Sequence, residues 1–365
     1  MMTIGNSLRL LFVSNPIGPL GSGLGGGVEL TLRNIATELI QRGHTLKIVA
    51  TNGSTAWGMP LVEIAGTPQI SAQTQGRDAP TLIPASSVLA NMWDYARQVQ
   101  TDYDLIVNFA YDWLPFYLTP FFTIPVAHLV SMGSLTEAMD QIIEQVATQF
   151  PNTIGVHSWA QAETFAFADR CRCVKNGIDL SLYDFCAEPA PWMGWVGRIS
   201  PEKGLEDAVA ASQLTGIPLK IMGFLENEDY WQQILRDYPD APIKYEGFLS
   251  TIELQKRLRQ CRGLLMTPRW MEAFGNVAIE ALACGVPVIA YRCGGPGEII
   301  EDGKSGFLVE PDSVEGLVEA MAHLDKIDRY ACRQRVEAEY SNQAMGDRIE
   351  LWFQDILSTR YSSQD

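Results

Sequence analysis

The chain has 365 residues, 47% hydrophobic and 19% charged, the make-up of an ordinary soluble globular protein with room for two domains. Its 43 acidic residues against 27 basic ones leave a net charge of −16, which argues against nucleic acid and anionic membrane surfaces as partners. A phosphate site would therefore have to be built from a few local cations and backbone amides.

The first apolar run, 8–14, reads as a strand rather than a signal peptide, and no apolar stretch reaches membrane-spanning length. It leads into six glycines between 18 and 27, then a helix over 28–41 with Leu30, Leu32, Ile35, Ala36, Leu39 and Ile40 on one broad face. Glycines between a strand and a helix make a backbone-lined pocket at the carboxyl edge of a parallel sheet. No Lys-Ser/Thr follows to make a Walker loop. The second strand, 45–50, ends in Thr51-Asn52 with no acidic residue for a ribose, which disfavours a dehydrogenase. Residues 71–87 are polar and proline-containing, as a mobile loop would be. Asp102-Tyr103-Asp104 has the spacing of a metal-binding pair but precedes the strand at 105–109, the wrong edge for a ligand, and reads as a structural turn. His128 lies in the strand at 126–130, ahead of small and polar residues that belong near a cleft edge. A lone histidine is more often structural than catalytic. Strands at 153–156 and 173–175 complete the first half. Seven cysteines follow no framework or zinc spacing and fit reduced thiols in a cytoplasmic protein.

After a proline-containing linker at 186–191 the alternation restarts with strands at 193–196, 219–222, 243–246, 264–266 and 286–290. Gly197-Arg198 and Lys203-Gly204 place two cations five residues apart at an expected helix start, a pair suited to a diphosphate. In Trp270–Gly285, two carboxylates, Glu272 and Glu280, bracket Phe274-Gly275-Asn276 at the start of a helix that Gly285 and Pro287 end. A helix N-terminus binds anions through free N–H groups, Gly275 permits close approach, and Asn276 can cap. A carboxylate beside a phosphate makes sense if the ligand also presents hydroxyls, as a nucleotide-sugar does. The bland reading is a core helix with two solvated glutamates. A final helical stretch, 341–357, has no strand after it and could cross back to brace the first half.

Together these residues resemble a retaining family 4 glycosyltransferase. The resemblance rests on Gly25-Gly26-Gly27-Val28-Glu29, Asn176-Gly177-Ile178-Asp179, Gly197-Arg198 with Lys203-Gly204, the Glu272-to-Glu280 run, and Gly294-Gly295-Pro296-Gly297-Glu298. It implies an α/β GT-B fold, two doubly wound Rossmann-like domains facing across a cleft, with domains at 1–187 (acceptor side) and 188–340 (donor side) and a returning helix at 341–365. It further implies that Arg198 and Lys203 hold the donor diphosphate and that Glu272 holds sugar hydroxyls, assisted by backbone amides near Phe274, Gly275, Asn276 and Val277. Glu280 would take the ribose, Phe248 and Leu249 would lie by the base, and Gly25, Gly26 and Gly27 would meet the phosphate. His128 would sit near the transferring sugar. No metal or separate cofactor is implied, because the UDP-sugar is a substrate. Glu298 departs from the pattern in which Pro and Glu are adjacent.

The glycine-rich loop is also similar to that of a cyanobacterial type that transfers glucose from UDP-glucose to tetrahydrobiopterin. A flat, donor-rich pterin suits Trp93, Tyr95, Tyr111 and Trp113 for stacking and Glu29 or Asp112 for hydrogen bonding, although such aromatics are often core. A lipid or polysaccharide acceptor is the alternative. The absence of a basic amphipathic helix counts against a lipid and against stable membrane association. A non-catalytic nucleotide-binding protein on the same fold is the reading from another class.

Overall fold

The computed structural model of the protein describes residues 7–23 and 26–362. They form two compact units, one running to Gly177 and resuming at Asn342, the other spanning Ile178–Ser341. The division thus falls ten residues before the expected boundary at 187, and the linker at 186–191 lies within the second unit.

The first unit holds seven parallel strands: β1 (Arg9–Val13), β2 (Thr45–Thr51), β3 (Leu61–Ile64), β4 (Leu105–Asn108), β5 (Val126–Leu129), β6 (Ile154–Val156) and β7 (Arg172–Cys173), in the order β3-β2-β1-β4-β5-β6-β7. The second holds six: β8 (Met193–Val196), β9 (Leu219–Met222), β10 (Ile243–Gly247), β11 (Gly263–Met266), β12 (Val288–Tyr291) and β13 (Gly306–Val309), in the order β10-β9-β8-β11-β12-β13. Each unit is Rossmann-like and doubly wound.

The continuous apolar runs of the central strands are explained by burial on both faces. In β1, Leu10 and Phe12 pack with Leu32 and Ile35 of the helix Gly27–Gln41 and with Ile349 and Trp352 of the helix Asn342–Ser362. Leu11 and Val13 point the other way, onto Met92 and Trp93 of the helix Val88–Val99. The same alternation divides β11, with Leu264 and Met266 in one cluster and Leu265 in the other. Strands β3 and β13, which the sequence did not announce, are four-residue edge strands. The first is half-buried and carries the exposed Glu63, and the second starts on a glycine, so neither has a strong apolar signature. The strand expected from 286 begins at Val288, since Pro287 has no N–H and contributes only its carbonyl, to Leu264.

Strand order reverses between β1 and β4 and between β8 and β11, the places where doubly wound sheets open a ligand crevice at their carboxyl ends. The helix caps mark the same edges. Helices starting at Val88, Glu137, Glu228, Thr251 and Val314 are capped by Ser87, Thr136, Asn227, Ser250 and Ser313. Those starting at Gly27, Leu205, Asn276 and Pro296 follow a glycine and have no side-chain cap. Their cap residues thus offer the first amides no side-chain acceptor.

Candidate active site

In the second unit the chain leaves β8 through Gly197 and Arg198, makes a tight turn over Pro201–Lys203, and enters the helix Leu205–Thr215. It leaves β11 toward Glu272 and enters the helix Asn276–Ala283. Because β8 and β11 are neighbours, residues 69 apart in sequence meet: Lys203 Nζ donates to Glu272 Oε2 at 2.5 Å. Trp270 Nε1 donates to the same oxygen at 3.2 Å, and its ring lies 4.7 Å from the Lys203 ammonium. The Gly295 N–H donates to the Glu272 carbonyl, fixing the backbone beneath the carboxylate. Burial would raise the Glu272 pKa, but Lys203, Trp270 and Arg198 outweigh it and hold the carboxyl below its ordinary value. The group is a held anion.

Arg198 is clasped by two acids. Its guanidinium donates to both oxygens of Glu226, at 2.9 and 2.8 Å, and to Glu202 at 3.1 Å. Both cations predicted for a phosphate therefore carry protein carboxylates, and side chains of all five groups remain partly accessible.

Phe274 is buried edge-on to Tyr340, and Val277 and Asn276 are half-buried. Asn276 is the first helical residue, not the cap. The cap position belongs to Gly275, whose φ of 97° suits glycine alone and which has no side chain to accept from the helix start. Phe248, just past β10, is 67% exposed, with Leu249 half-buried beside it.

Glu280 is buried one turn along this helix and accepts from the Tyr183 hydroxyl at 2.7 Å. Burial pushes its carboxyl up to about 7, partly offset by that hydrogen bond. A carboxyl whose folded pKa exceeds its unfolded value stabilises the fold at acid pH, and this stability is lost as pH rises from about 4.5 through 7. The loss amounts to about 3 kcal/mol. Glu280→Gln, which stays neutral, is therefore expected to raise the unfolding midpoint relative to wild type at pH 8 and to matter little at pH 4.5. An equal difference at both values would show that Glu280 does not titrate in this window.

In the first unit, Gly26 caps and Gly27 opens the helix after β1, whereas Gly25 lies outside the described residues. Several expectations are corrected here. The Glu29 carboxylate is turned back to its own loop, accepting from the Gly21 N–H at 2.7 Å and the Gly23 N–H at 3.4 Å, which shapes the glycine turn. His128 is fully buried and stacks on Phe116 at 4.3 Å. The Asn108 amide donates to its Nδ1 at 3.1 Å, so Nε2 carries the proton and donates to Thr119 Oγ1 at 2.8 Å. Burial lowers its pKa to about 3. It is a neutral core histidine with both nitrogens engaged, unable to reach a sugar. Trp93 is in the core, edge-on to Phe122, and offers no ring face to a ligand. Tyr111 is also buried, its hydroxyl donating to the Gly133 carbonyl and accepting from the Leu135 N–H. Asp112 differs: it is half-buried and lines a pocket at the carboxyl end of β4. Asp104 of the Asp-Tyr-Asp turn clamps the Arg9 backbone and guanidinium at the amino end of β1.

Glu226 and Tyr183 were not anticipated. Glu226 lies 28 residues from Arg198, and Tyr183 lies 97 from Glu280. Only the sheet topology brings them in, and no local spacing could have found them. Trp270 was visible within the motif but carried no assigned role.

Residues 187–340 match the family model described as glycosyl transferases group 1. This glycosyl transferases group 1 region lies within the second unit and contains Arg198, Lys203, Glu272 and Glu280. Among curated relatives, glycogen synthase of Mycobacterium tuberculosis is 32% identical over 173 residues, 44% of this chain and 41% of that protein. The chain thus spans about two fifths of that relative's length. D-inositol 3-phosphate glycosyltransferase of Corynebacterium glutamicum is 25% identical over 91% of both chains. Among solved structures, Anabaena HepE in complex with UDP and glucose has a TM-score of 0.76 at 19% identity, covering 95% of this chain and 99% of its own. The structural neighbours are GT-B glycosyltransferases, and GT-B is the fold of this chain.

Among the described residues no group of three or more His, Cys, Asp or Glu side chains is placed to hold a metal, and no helix is long and apolar enough to cross a membrane. None of the seven cysteines is in a disulfide.

Proposed function

We propose that the protein is a retaining glycosyltransferase that moves glucose from UDP-glucose to a hydroxyl of a small planar acceptor, a pterin such as tetrahydrobiopterin. The observation that carries the donor half is the Lys203–Glu272 pair beside Arg198 at the helix Asn276–Ala283, which starts on a glycine cap. Cations beside the start of a helix suit a diphosphate, and a held carboxylate suits sugar hydroxyls. The fold it shares with HepE, solved with UDP-glucose, supports the same donor.

In this reading Arg198, Lys203 and the helix amides hold the diphosphate and stabilise the leaving UDP. Glu272 accepts from sugar hydroxyls, Glu280 from the ribose, and Phe248-Leu249 flank the base. The acceptor hydroxyl oxygen bonds to the anomeric carbon as the bond from that carbon to the phosphate oxygen breaks. The acceptor proton passes to the leaving phosphate, and attack on the departing face retains the configuration. Metal-independent handling of the diphosphate follows from the two cations and the helix dipole.

Protection against thermal unfolding tests the donor, because a ligand that binds only the folded state raises the midpoint by mass action. UDP and UDP-glucose are expected to raise it in wild type and much less in Lys203→Ala. No rise with any UDP-sugar in wild type would overturn the reading.

Glu226 and Glu202 occupy the guanidinium that a diphosphate would take, so donor binding must displace them. Glu226→Gln is expected to tighten UDP binding several-fold, the scale of a partly exposed ion pair at about 0.5–1 kcal/mol. Calorimetric titration checks it. Unchanged affinity would show that Arg198 does not exchange partners.

A further inference from the structure

The helix Arg329–Glu339 buries Cys332 and Val336 in the core that also holds Ile279 and Leu282 of the helix Asn276–Ala283. At 3.6 residues per turn, Arg333 and Arg335 fall on opposite flanks of that buried seam. Neither is solvated as surface arginines are, their side chains being 19% and 12% exposed. Each donates instead to backbone carbonyls, and the two serve different segments.

Arg335 donates to the carbonyl of Ile299, to that of Glu298 at 3.0 Å, and to the Glu301 carboxylate at 2.8 Å. The Tyr340 hydroxyl also donates to the Glu298 carbonyl, at 3.3 Å. Those carbonyls close the short helix Pro296–Ile299, whose other end abuts the Glu272 segment. Glu272 and Gly294 form a parallel bridge, and the Gly295 N–H donates to the Glu272 carbonyl at 2.8 Å. A Cβ on Gly294 or Gly295 would collide with the backbone of Glu272 or Phe274, so the two segments are in main-chain contact.

Arg333 Nη1 donates to the carbonyls of Ala283 and Tyr183, both at 2.7 Å. Ala283 ends the helix that carries Glu280, and Tyr183 is the residue whose hydroxyl holds the Glu280 carboxyl. A guanidinium at a helix C-terminus meets carbonyls that lack intrahelical partners and the negative end of the dipole. Such charge-assisted bonds are among the stronger ones, and here they fix main chain rather than side chains.

We infer that Arg335 and Arg333 are positioning residues for the two halves of the donor. Arg335 sets Glu272 through Pro296–Ile299, and Arg333 sets Glu280 through Tyr183 and the end of its helix. The inference rests on the proposed function for what the two carboxylates bind. It adds that the sugar and ribose contacts are anchored separately, from opposite flanks of one helix.

The test uses the full chain with Arg335→Met and Arg333→Met, which keep an apolar stem and remove the donors. Calorimetric titration is expected to show a split. In Arg335→Met the affinity for UDP-glucose falls about tenfold while that for UDP holds, because only the sugar contact is misplaced. In Arg333→Met both affinities fall together by about tenfold, since the ribose is common to the two ligands. Arg335→Lys can serve one carbonyl and should recover part of the loss. Should Arg335→Met fail to fold, the lysine variant carries the same expectation at reduced size. Hydrogen exchange of the free protein reads the anchoring itself. Segment 293–300 should exchange about tenfold faster in Arg335→Met alone, and segment 280–286 in Arg333→Met alone.

A merely structural role would lower the unfolding midpoint of both variants without separating UDP-glucose from UDP. Equal losses for the two ligands in Arg335→Met, or unchanged exchange at 293–300, would overturn the inference. Failure of the proposed function is distinguishable: absence of UDP-glucose binding to wild type removes that reading, while the exchange pattern still decides whether the two arginines anchor separate segments.

Discussion

Glu272→Ala is expected to lower turnover with UDP-glucose by about a hundredfold to a thousandfold, the range for removing one preorganised group at a transition state. Lys203→Ala should fall in the same range. The two side chains meet at 2.5 Å, and each is less than one-fifth exposed. Removing either one strips the other of its partner and leaves a poorly solvated charge. Their effects should therefore not add: the double variant is expected to be little worse than the poorer single one. Trp270 sharpens the expectation, since its indole N–H bonds to the same oxygen and its ring supports the ammonium. Steady-state kinetics of the three variants check this. Two independent losses that multiply in the double variant would show that Lys203 and Glu272 do not act as a unit.

Gly223→Ala is expected to cost about 3 kcal/mol or more and to disorder the turn that presents Arg198. Gly223 follows β9 at a φ of 144°, and a Cβ there would stand 1.8 Å from the Gly197 carbonyl oxygen. That contact is backbone against backbone, so no side chain can swing aside, and the strand that leads into Arg198 must move. Gly216→Ala is the control. It also carries a positive φ, 68°, but has open space around it, and should cost only about 1 kcal/mol. Urea unfolding of both variants separates backbone conformation from steric conflict. Equal costs would show that the approach to Gly197 is not what requires glycine at 223.

The central strands were legible because burial on two faces writes a continuous apolar run, as in β1 and β11. Edge strands β3 and β13 lack that second buried face, and their four residues merge with the loops around them. Arg198, Lys203 and Glu272 were legible as residue types beside glycines, but their meeting depends on β8 and β11 being neighbours. Where the sequence misled, partners that no motif announces decided. Nothing near His128 shows that Asn108 and Thr119 close over both its nitrogens. The Glu29 carboxylate, which sequence offers to a ligand, is drawn to the Gly21 and Gly23 amides of the loop it follows. Asp112 emerged as the opposite case, a carboxylate at a helix start that caps nothing.

The most direct test is the anomeric configuration of the product formed when the protein is given UDP-glucose and a reduced pterin carrying a hydroxyl side chain. One-bond and vicinal couplings at the anomeric position read it by NMR. The account predicts a single product of added hexose mass with the α linkage of the donor, formed together with UDP and only when the pterin is present. A β-linked product, or UDP release with no hexose on the pterin, would contradict it.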